Sequence, residues 1–362
     1  MPSLFNEEPR GLDVADAVED DRRYCRDTLP RVSRTFAVNI RVLSGTLGES
    51  VRVGYLLCRA ADTLEDAWPG SGLASRFERF LAALDGDLDA ARSLAREAAT
   101  SGPLAEGSRD ELDLVSHLPR VLRVYAGLPP AHRDALREGV RTLATGMARY
   151  AARAAGRAAD RPYLEDEDEL DDYCWVVAGC VGVMLTRLYA HAYRLERDPR
   201  QPRRLELAPL VGRALQLTNI LLDWPSDVRR GRCYVPANWL AEHALTPRDL
   251  VERERPEVRT LAARLESKAL AALSRVPDYL DLISARHLRY RLFCLWPAVW
   301  ALRSIRHARR DREFPWGPRR PKLPRQEIIG TTVRSILTAG LVPDLRGELR
   351  GFAPAVGPTS RG

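Results

Sequence analysis

Val53-Gly-Tyr55-Leu-Leu-Cys58-Arg59-Ala-Ala-Asp62-Thr-Leu-Glu65-Asp66 is an apolar, nearly uncharged run that ends in three carboxylates. On a helix, positions i, i+3 and i+4 share one face, so Asp62, Glu65 and Asp66 converge on a small volume and repel one another. A solvated helix edge accounts for such a triplet; carboxylates that close a buried helix instead call for cations. A second apolar stretch, Leu215-Gln216-Leu-Thr-Asn219-Ile-Leu-Leu222, leads to Asp223 and Asp227 at i, i+4 spacing. Two such helices face to face form a cage of hard oxygen ligands suited to Mg²⁺ and, through it, to a diphosphate. Pro225 removes a backbone donor and is expected to kink or end this helix near Asp223, leaving the reach of Asp227 open.

Outward from these two stretches the periodicity is helical almost throughout. Spans 12–30, 33–44, 47–66, 73–99, 108–126, 130–155, 166–194, 206–223, 247–275, 278–308 and 325–339 each support an amphipathic or buried helix, with hardly any strand alternation. The predicted fold is all-α, a single large helical bundle. Its expected organisation is a flexible N-terminus at 1–15, a catalytic domain at 16–308, an Arg/Pro-rich segment at 309–324, an appended helix at 325–345 and a flexible tail at 346–362.

Composition narrows the function. Of 56 basic residues only Lys268 and Lys322 are lysines, and the net charge of +7 is dispersed among acidic residues, which argues against nucleic-acid binding. The six cysteines are scattered with no CxxC pair and read as core residues of a reducing cytosol. The start of the chain lacks a signal-peptide plan, and the apolar stretch Trp175–Leu185 is too short to cross a bilayer, so no export and no membrane span are expected. The acidic run 165–172 reads as a solvated helix start.

Other polar groups admit two readings. Gln216 and Asn219 precede Asp223, and Arg229, Arg230 and Arg232 follow it. The arginines suit phosphate oxygens, and equally a helix C-terminus complementing its own dipole. Ser33 and Arg34 lie just ahead of an apolar helix as an anion site or as a plain N-cap with its neighbour.

Ser33-Arg-Thr-Phe36, Tyr55 through Asp66, Tyr173-Cys-Trp-Val-Val-Ala178-Gly-Cys-Val181-Gly182 and Gln216 through Pro236 resemble, in order and spacing, the signature blocks of the squalene/phytoene synthase family. Phe293-Cys294-Leu-Trp-Pro297 and the chain length are more similar to squalene synthases, bacterial ones in particular. The resemblance implies the isoprenoid synthase fold with a central cavity, and head-to-head (1'-1) condensation of two farnesyl diphosphates through presqualene diphosphate, followed by NADPH reduction to squalene. It implies Asp62, Glu65, Asp66, Asp223 and Asp227 as Mg²⁺ ligands, with Ser33, Arg34, Arg59, Gln216, Asn219 and Arg232 around the diphosphate. Phe36, Tyr55, Ala178, Val181 and Phe293 would contact the prenyl chains, Tyr55 and Tyr173 would serve catalysis with the aspartates, and Asn219, Arg232 and Lys322 would hold the nucleotide. Plain core packing is the competing reading for the aromatics. Leu222, Ser226 and Asp27 depart from the family pattern where an Arg, a Glu and a Lys are usual. A product formed without hydride (hydroxysqualene, dehydrosqualene or phytoene) is therefore an alternative, as is a terpene synthase acting on one diphosphate. The expected protein is cytoplasmic, a monomer or dimer, with a peripheral contact at the inner face of the membrane suited to its oily product.

Overall fold

The structure is a computed structural model and describes residues 14–66, 68, 72–102, 109–155, 161–317, 320–321, 323–337 and 343–352. Among them there are helices and no strand. The N-terminal half runs α1 (Val14–Val32), α2 (Arg34–Arg41), α3 (Gly45–Asp66), α4 (Leu73–Leu84), α5 (Leu88–Thr100), α6 (Arg109–Ser116), α7 (Leu118–Ala126) and α8 (Pro130–Ala155). The single helix expected over 73–99 is broken at Gly86, whose φ of 105° no helix accommodates, and Asp87 caps α5 through its side chain. The span 108–126 is likewise divided at His117, ahead of Pro119 in the first turn of α7.

The continuous helix expected over 166–194 is present as α9 (Glu167–Cys174), a π-helical turn (Trp175–Gly179) and α10 (Cys180–Tyr193). Asp166 caps it, and Glu167 is paired with Arg264 and Lys268, so the acidic run is a helix start, as expected. The span Glu167–Tyr193 is, at 27 residues, long and apolar enough to cross a membrane by length and composition, which corrects the reading from Trp175–Leu185 alone. More than half of its most apolar window is buried inside the bundle, as suits a core helix.

α11 (Gln201–Arg229) does not end near Asp223, one of the two outcomes expected of Pro225: it runs through both Pro209 and Pro225. Burial of Trp224 and Pro225 holds that stretch in the bundle, and Arg229 donates to the Pro225 carbonyl at 2.7 Å. Packing thus outweighs the one backbone bond a proline forfeits. Beyond it lie α12 (Ala237–Ala241), α13 (Asp249–Glu252), α14 (Pro256–Leu273), α15 (Val276–Asp281), α16 (Leu288–Arg310), α17 (Arg325–Leu337) and α18 (Pro343–Arg350). α18 crosses the boundary expected at 345, and its Glu348 is gripped by Arg303 and Arg306 of α16.

α11 runs through the middle of the bundle, against α10, α14, α15 and α16, while α3 packs on α6, α7, α8 and α10. Leu56, Leu57 and Leu64 of α3 are fully buried, each stabilising the fold by about 1.5–3 kcal/mol. α10 and α11 meet backbone to backbone: a Cβ at Gly212 would lie 2.1 Å from the Ala178 carbonyl oxygen, and one at Gly182 would lie 2.2 Å from that of Ala208. All six cysteines are free.

Candidate functional site

Residues 55, 59 and 62 fall on one face of α3, and residues 216, 219, 223 and 227 on one face of α11. These faces border two adjoining cavities. The polar one, about 500 Å³, is walled by Asp62, Tyr173, Gln216, Asn219, Asp223, Ser226, Asp227, Arg230, Arg232 and Tyr234. The other, about 550 Å³, is lined by Ser33, Phe36, Tyr55 and Arg59 from one side and by Leu215, Leu222, Pro297 and Trp300 from the other. Asn219 and Asp223 stand on both walls.

The polar cavity sets three aspartates among arginines, with Arg230 and Arg232 on its wall and Arg59 and Arg320 paired to Asp62 and Asp223. Asp227 is pushed up to about 7, first by burial and then by the charge of Asp223. Burial also raises Asp223, against the opposing pull of Arg320, which donates to both of its carboxylate oxygens at 2.8 Å. Asp62 is paired with Arg59, which also grips Glu111 of α6. Arg59, expected to hold diphosphate, is thus already engaged by two carboxylates.

Tyr173 is buried at the end of α9, edge-on to Tyr150 with ring centroids 5.2 Å apart. Burial, followed by Tyr234 and Glu65, holds its phenol well above the ordinary tyrosine value, so at neutral pH it acts as a hydrogen-bonding neutral group. Tyr55 lies 5.5 Å from Phe36, centroid to centroid, and burial raises its phenol. Ser33 caps α2, accepting from the Phe36 N–H at 3.3 Å, so the N-cap reading holds, and it also lines the second cavity.

Several expected residues lie elsewhere. Glu65 borders neither cavity: it is buried, accepting from the Tyr163 hydroxyl at 2.6 Å, and burial raises its carboxyl. Residue 65 shares the general face of residue 62 but sits about 60° around the helix, enough for its carboxylate to be taken up by Tyr163 in place of the cavity. Phe293 is core: it stacks on Tyr290, and its carbonyl accepts from Asn39 at 3.0 Å. Ala178 and Val181 are half-buried and border neither cavity, the Ala178 carbonyl being pressed against Gly212. Arg229 does not replace the arginine absent at 222, because it donates to the carbonyls of Pro225, Trp316 and Gly317. Asp27 is exposed on α1. Lys322 and the side chains of Arg34 and Asp66 lie outside the described residues.

Sequence reasoning missed Arg320, Tyr234, Trp300 and Arg59's partner Glu111. Arg320 sits in the Arg/Pro-rich segment, where attention went to Lys322; Arg229 ties that segment to the end of α11. Tyr234 closes the polar cavity after a turn through Gly231, whose φ of 79° lets Arg232 return and donate to the Glu65 carbonyl at 2.9 Å.

Among the described residues no three His, Cys, Asp or Glu side chains form a ready-made metal cage. The donor chemistry nevertheless fits Mg²⁺: Asp62 shares the cavity with a buried, mutually repelling pair, Asp223 and Asp227, all hard oxygen ligands. NADPH fits less directly. Of the residues expected to hold it, Asn219 and Arg232 belong to the wall that carries these carboxylates, so they define no separate dinucleotide site.

The all-α bundle, with carboxylates of α3 and α11 on one polar cavity, has the isoprenoid synthase fold of the solved structures it is similar to. The squalene/phytoene synthase family matches residues 29–327, and the chain belongs to that family. It is 27% identical to the squalene synthase of Homo sapiens over 297 residues, covering 80% of this chain and 64% of the human protein. It is 26% identical to the squalene synthase of Saccharomyces cerevisiae over 304 residues, covering 81% and 63%. The match thus spans less than two thirds of either relative. In structure it is similar to TcSQS in complex with the ligand E5700, with a TM-score of 0.72 at 25% identity over 93% of both chains. A dehydrosqualene synthase in complex with ligand shares the fold, with a TM-score of 0.60 at 20% identity over 94% of this chain and 100% of that one.

Proposed function

We propose that this chain catalyses the Mg²⁺-dependent head-to-head condensation of two farnesyl diphosphates through presqualene diphosphate and its reduction to squalene, with NADPH as hydride-donating co-substrate. The observation that carries the reading is the meeting of Asp62 with Asp223 and Asp227 on one polar cavity, which shares Asn219 and Asp223 with an aromatic-lined one. A polar pocket for two diphosphates beside an apolar pocket for their chains is what this substrate pair requires.

Bound Mg²⁺, held by Asp62, Asp223 and Asp227, would supply charge neutralisation for a departing diphosphate. The chain's own residues account for the rest. Arg230 and Arg232 present guanidinium groups to diphosphate oxygens on the same wall. Tyr173 keeps its proton on Oη and offers it as a hydrogen bond beside the diphosphate. Phe36 and Tyr55 supply aromatic rings to the wall where cationic charge would develop, beside the apolar Leu215, Leu222 and Pro297. Arg320 reaches the site from the 309–324 segment, so the catalytic unit extends beyond residue 308.

Leu222 supports a second reading: an apolar, buried side chain lines the cavity at the position where the family pattern has an arginine. The product would then form without hydride, as hydroxysqualene, dehydrosqualene or phytoene. Incubation with farnesyl diphosphate and Mg²⁺, with and without NADPH, and mass analysis of the extracted products test both. Squalene only with NADPH supports the first reading, and a hydroxylated or dehydrogenated product regardless of NADPH supports the second. Phytoene from geranylgeranyl diphosphate alone would change the substrate, and consumption of one diphosphate per product would overturn head-to-head chemistry.

A further inference from the structure

Glu65 lies on α3 within a turn of Asp62, yet its carboxylate is held on the far side of the cavity wall. It accepts from the Tyr163 hydroxyl at 2.6 Å, and the two side chains are buried, at 5% and 7% exposure. It remains within electrostatic reach of the cavity, because the charges of Asp62 and Arg232, both on the polar wall, act on its carboxyl. Arg232 also donates to the Glu65 main-chain carbonyl at 2.9 Å. A glutamate so placed is a hard oxygen donor on a rotatable side chain, and it turns toward a bound cation unless something restrains it.

Tyr163 is itself fixed. Its backbone N–H donates to the Cys233 carbonyl at 2.6 Å, and the Leu164 carbonyl accepts from Ala237 at 2.9 Å. These bonds fasten the segment ahead of α9 to the stretch that carries Tyr234. The Tyr163 ring stacks on Tyr150 at 6.2 Å and lies 5.1 Å from Tyr234 and 6.0 Å from Tyr173, centroid to centroid. Tyr173 and Tyr234 line the polar cavity and Tyr163 does not, so Tyr163 forms the layer behind the wall. A buried tyrosine needs an acceptor, but a carboxylate is a costly one, since it gives up far more hydration than a main-chain carbonyl does. The pairing therefore points beyond packing.

We infer that Tyr163 is a positioning residue that holds Glu65 away from Mg²⁺, so that the polar cavity binds the ion through Asp62, Asp223 and Asp227 without it. The inference rests on the reading of that cavity as an Mg²⁺ site. An ion held by fewer carboxylates keeps more of its coordination positions for diphosphate oxygens and water.

Mn²⁺ alone, which takes the same octahedral oxygen ligands, is titrated into the full chain and the free ion is read by electron paramagnetic resonance. Tyr163→Phe deletes the hydroxyl and keeps the ring, and is expected to bind Mn²⁺ about tenfold more tightly than wild type. The gain is expected to vanish in Tyr163→Phe/Glu65→Gln, which separates a released ligand from a general loosening of the wall. Glu65→Gln alone is expected to bind Mn²⁺ as wild type does, and it carries the test by itself if Tyr163→Phe does not fold. Weaker binding by Glu65→Gln overturns the inference by making Glu65 a ligand, and so does an unchanged affinity in Tyr163→Phe. Wild type that binds no Mn²⁺, or that binds it equally well after Asp223→Asn, overturns the metal reading and this inference with it. Turnover enters none of these readouts, so an inactive chain that follows the expected pattern supports the inference while refuting the reaction.

Discussion

Gly212→Ala tests whether the site depends on how closely α10 and α11 approach. The added methyl would lie 2.1 Å from the Ala178 carbonyl oxygen and 2.6 Å from its carbon, and both are backbone atoms that no rotamer change can move. Reaching an ordinary contact requires the π turn and α11 to separate by about 1.3 Å. That overpacking is expected to cost about 3 kcal/mol, read as a lower urea midpoint at unchanged slope. The functional cost follows from what α11 carries. Gln216 lies about one turn beyond Gly212, with Asn219, Asp223 and Asp227 after it, while Tyr173 lies just before the π turn. A displacement near 1 Å between groups proposed to act on one diphosphate is expected to lower turnover by about a hundredfold. Gly347→Ala is the control: nothing lies within 4 Å of its added methyl, in α18, and a gain of about 0.5–1 kcal/mol is expected. If Gly212→Ala unfolds at the wild-type midpoint and turns over at the wild-type rate, the close approach does not position the site.

Two further outcomes concern the carboxylates. Asp227 has its folded pKa raised from 3.8 to about 7, so without metal its contribution to stability is fully present below pH 4 and is lost as pH rises through about 7. Asp227→Asn is therefore expected to flatten that decline in thermal midpoint while abolishing turnover, and wild-type Mg²⁺ affinity measured calorimetrically is expected to rise across the same window. A metal-free wild type equally stable at pH 5 and pH 8 would refute the burial argument. Arg320→Ala removes the guanidinium that occupies Asp223, so Mg²⁺ alone is expected to bind more tightly to the variant; unchanged or weaker binding would refute competition between Arg320 and the cation for Asp223.

Periodicity was enough to predict a helical bundle, because an amphipathic helix writes its buried face into one short stretch of chain. The same locality made α3 and α11 recognisable as the acidic helices, and Asp62, Asn219, Asp223, Tyr173 and Arg232 do share the polar cavity. The breaks at Gly86 and His117 were harder to read, since a turn of a few residues barely disturbs a periodic pattern. Pro225 does not end its helix for the opposite reason: its local penalty is real, but burial in the bundle keeps α11 continuous.

Local pattern carries the all-α class, the family resemblance and the acidic and basic residue types near Asp62 and Asp223. Which of these side chains face one another depends on how the helices pack. That packing sent Glu65 to Tyr163 and Phe293 into the core, and placed Arg320 on Asp223 across 97 residues of chain. The physical reason is range: helix formation depends on neighbours three and four residues apart, whereas the direction of a side chain on a packed helix is settled by contacts that the sequence holds far apart.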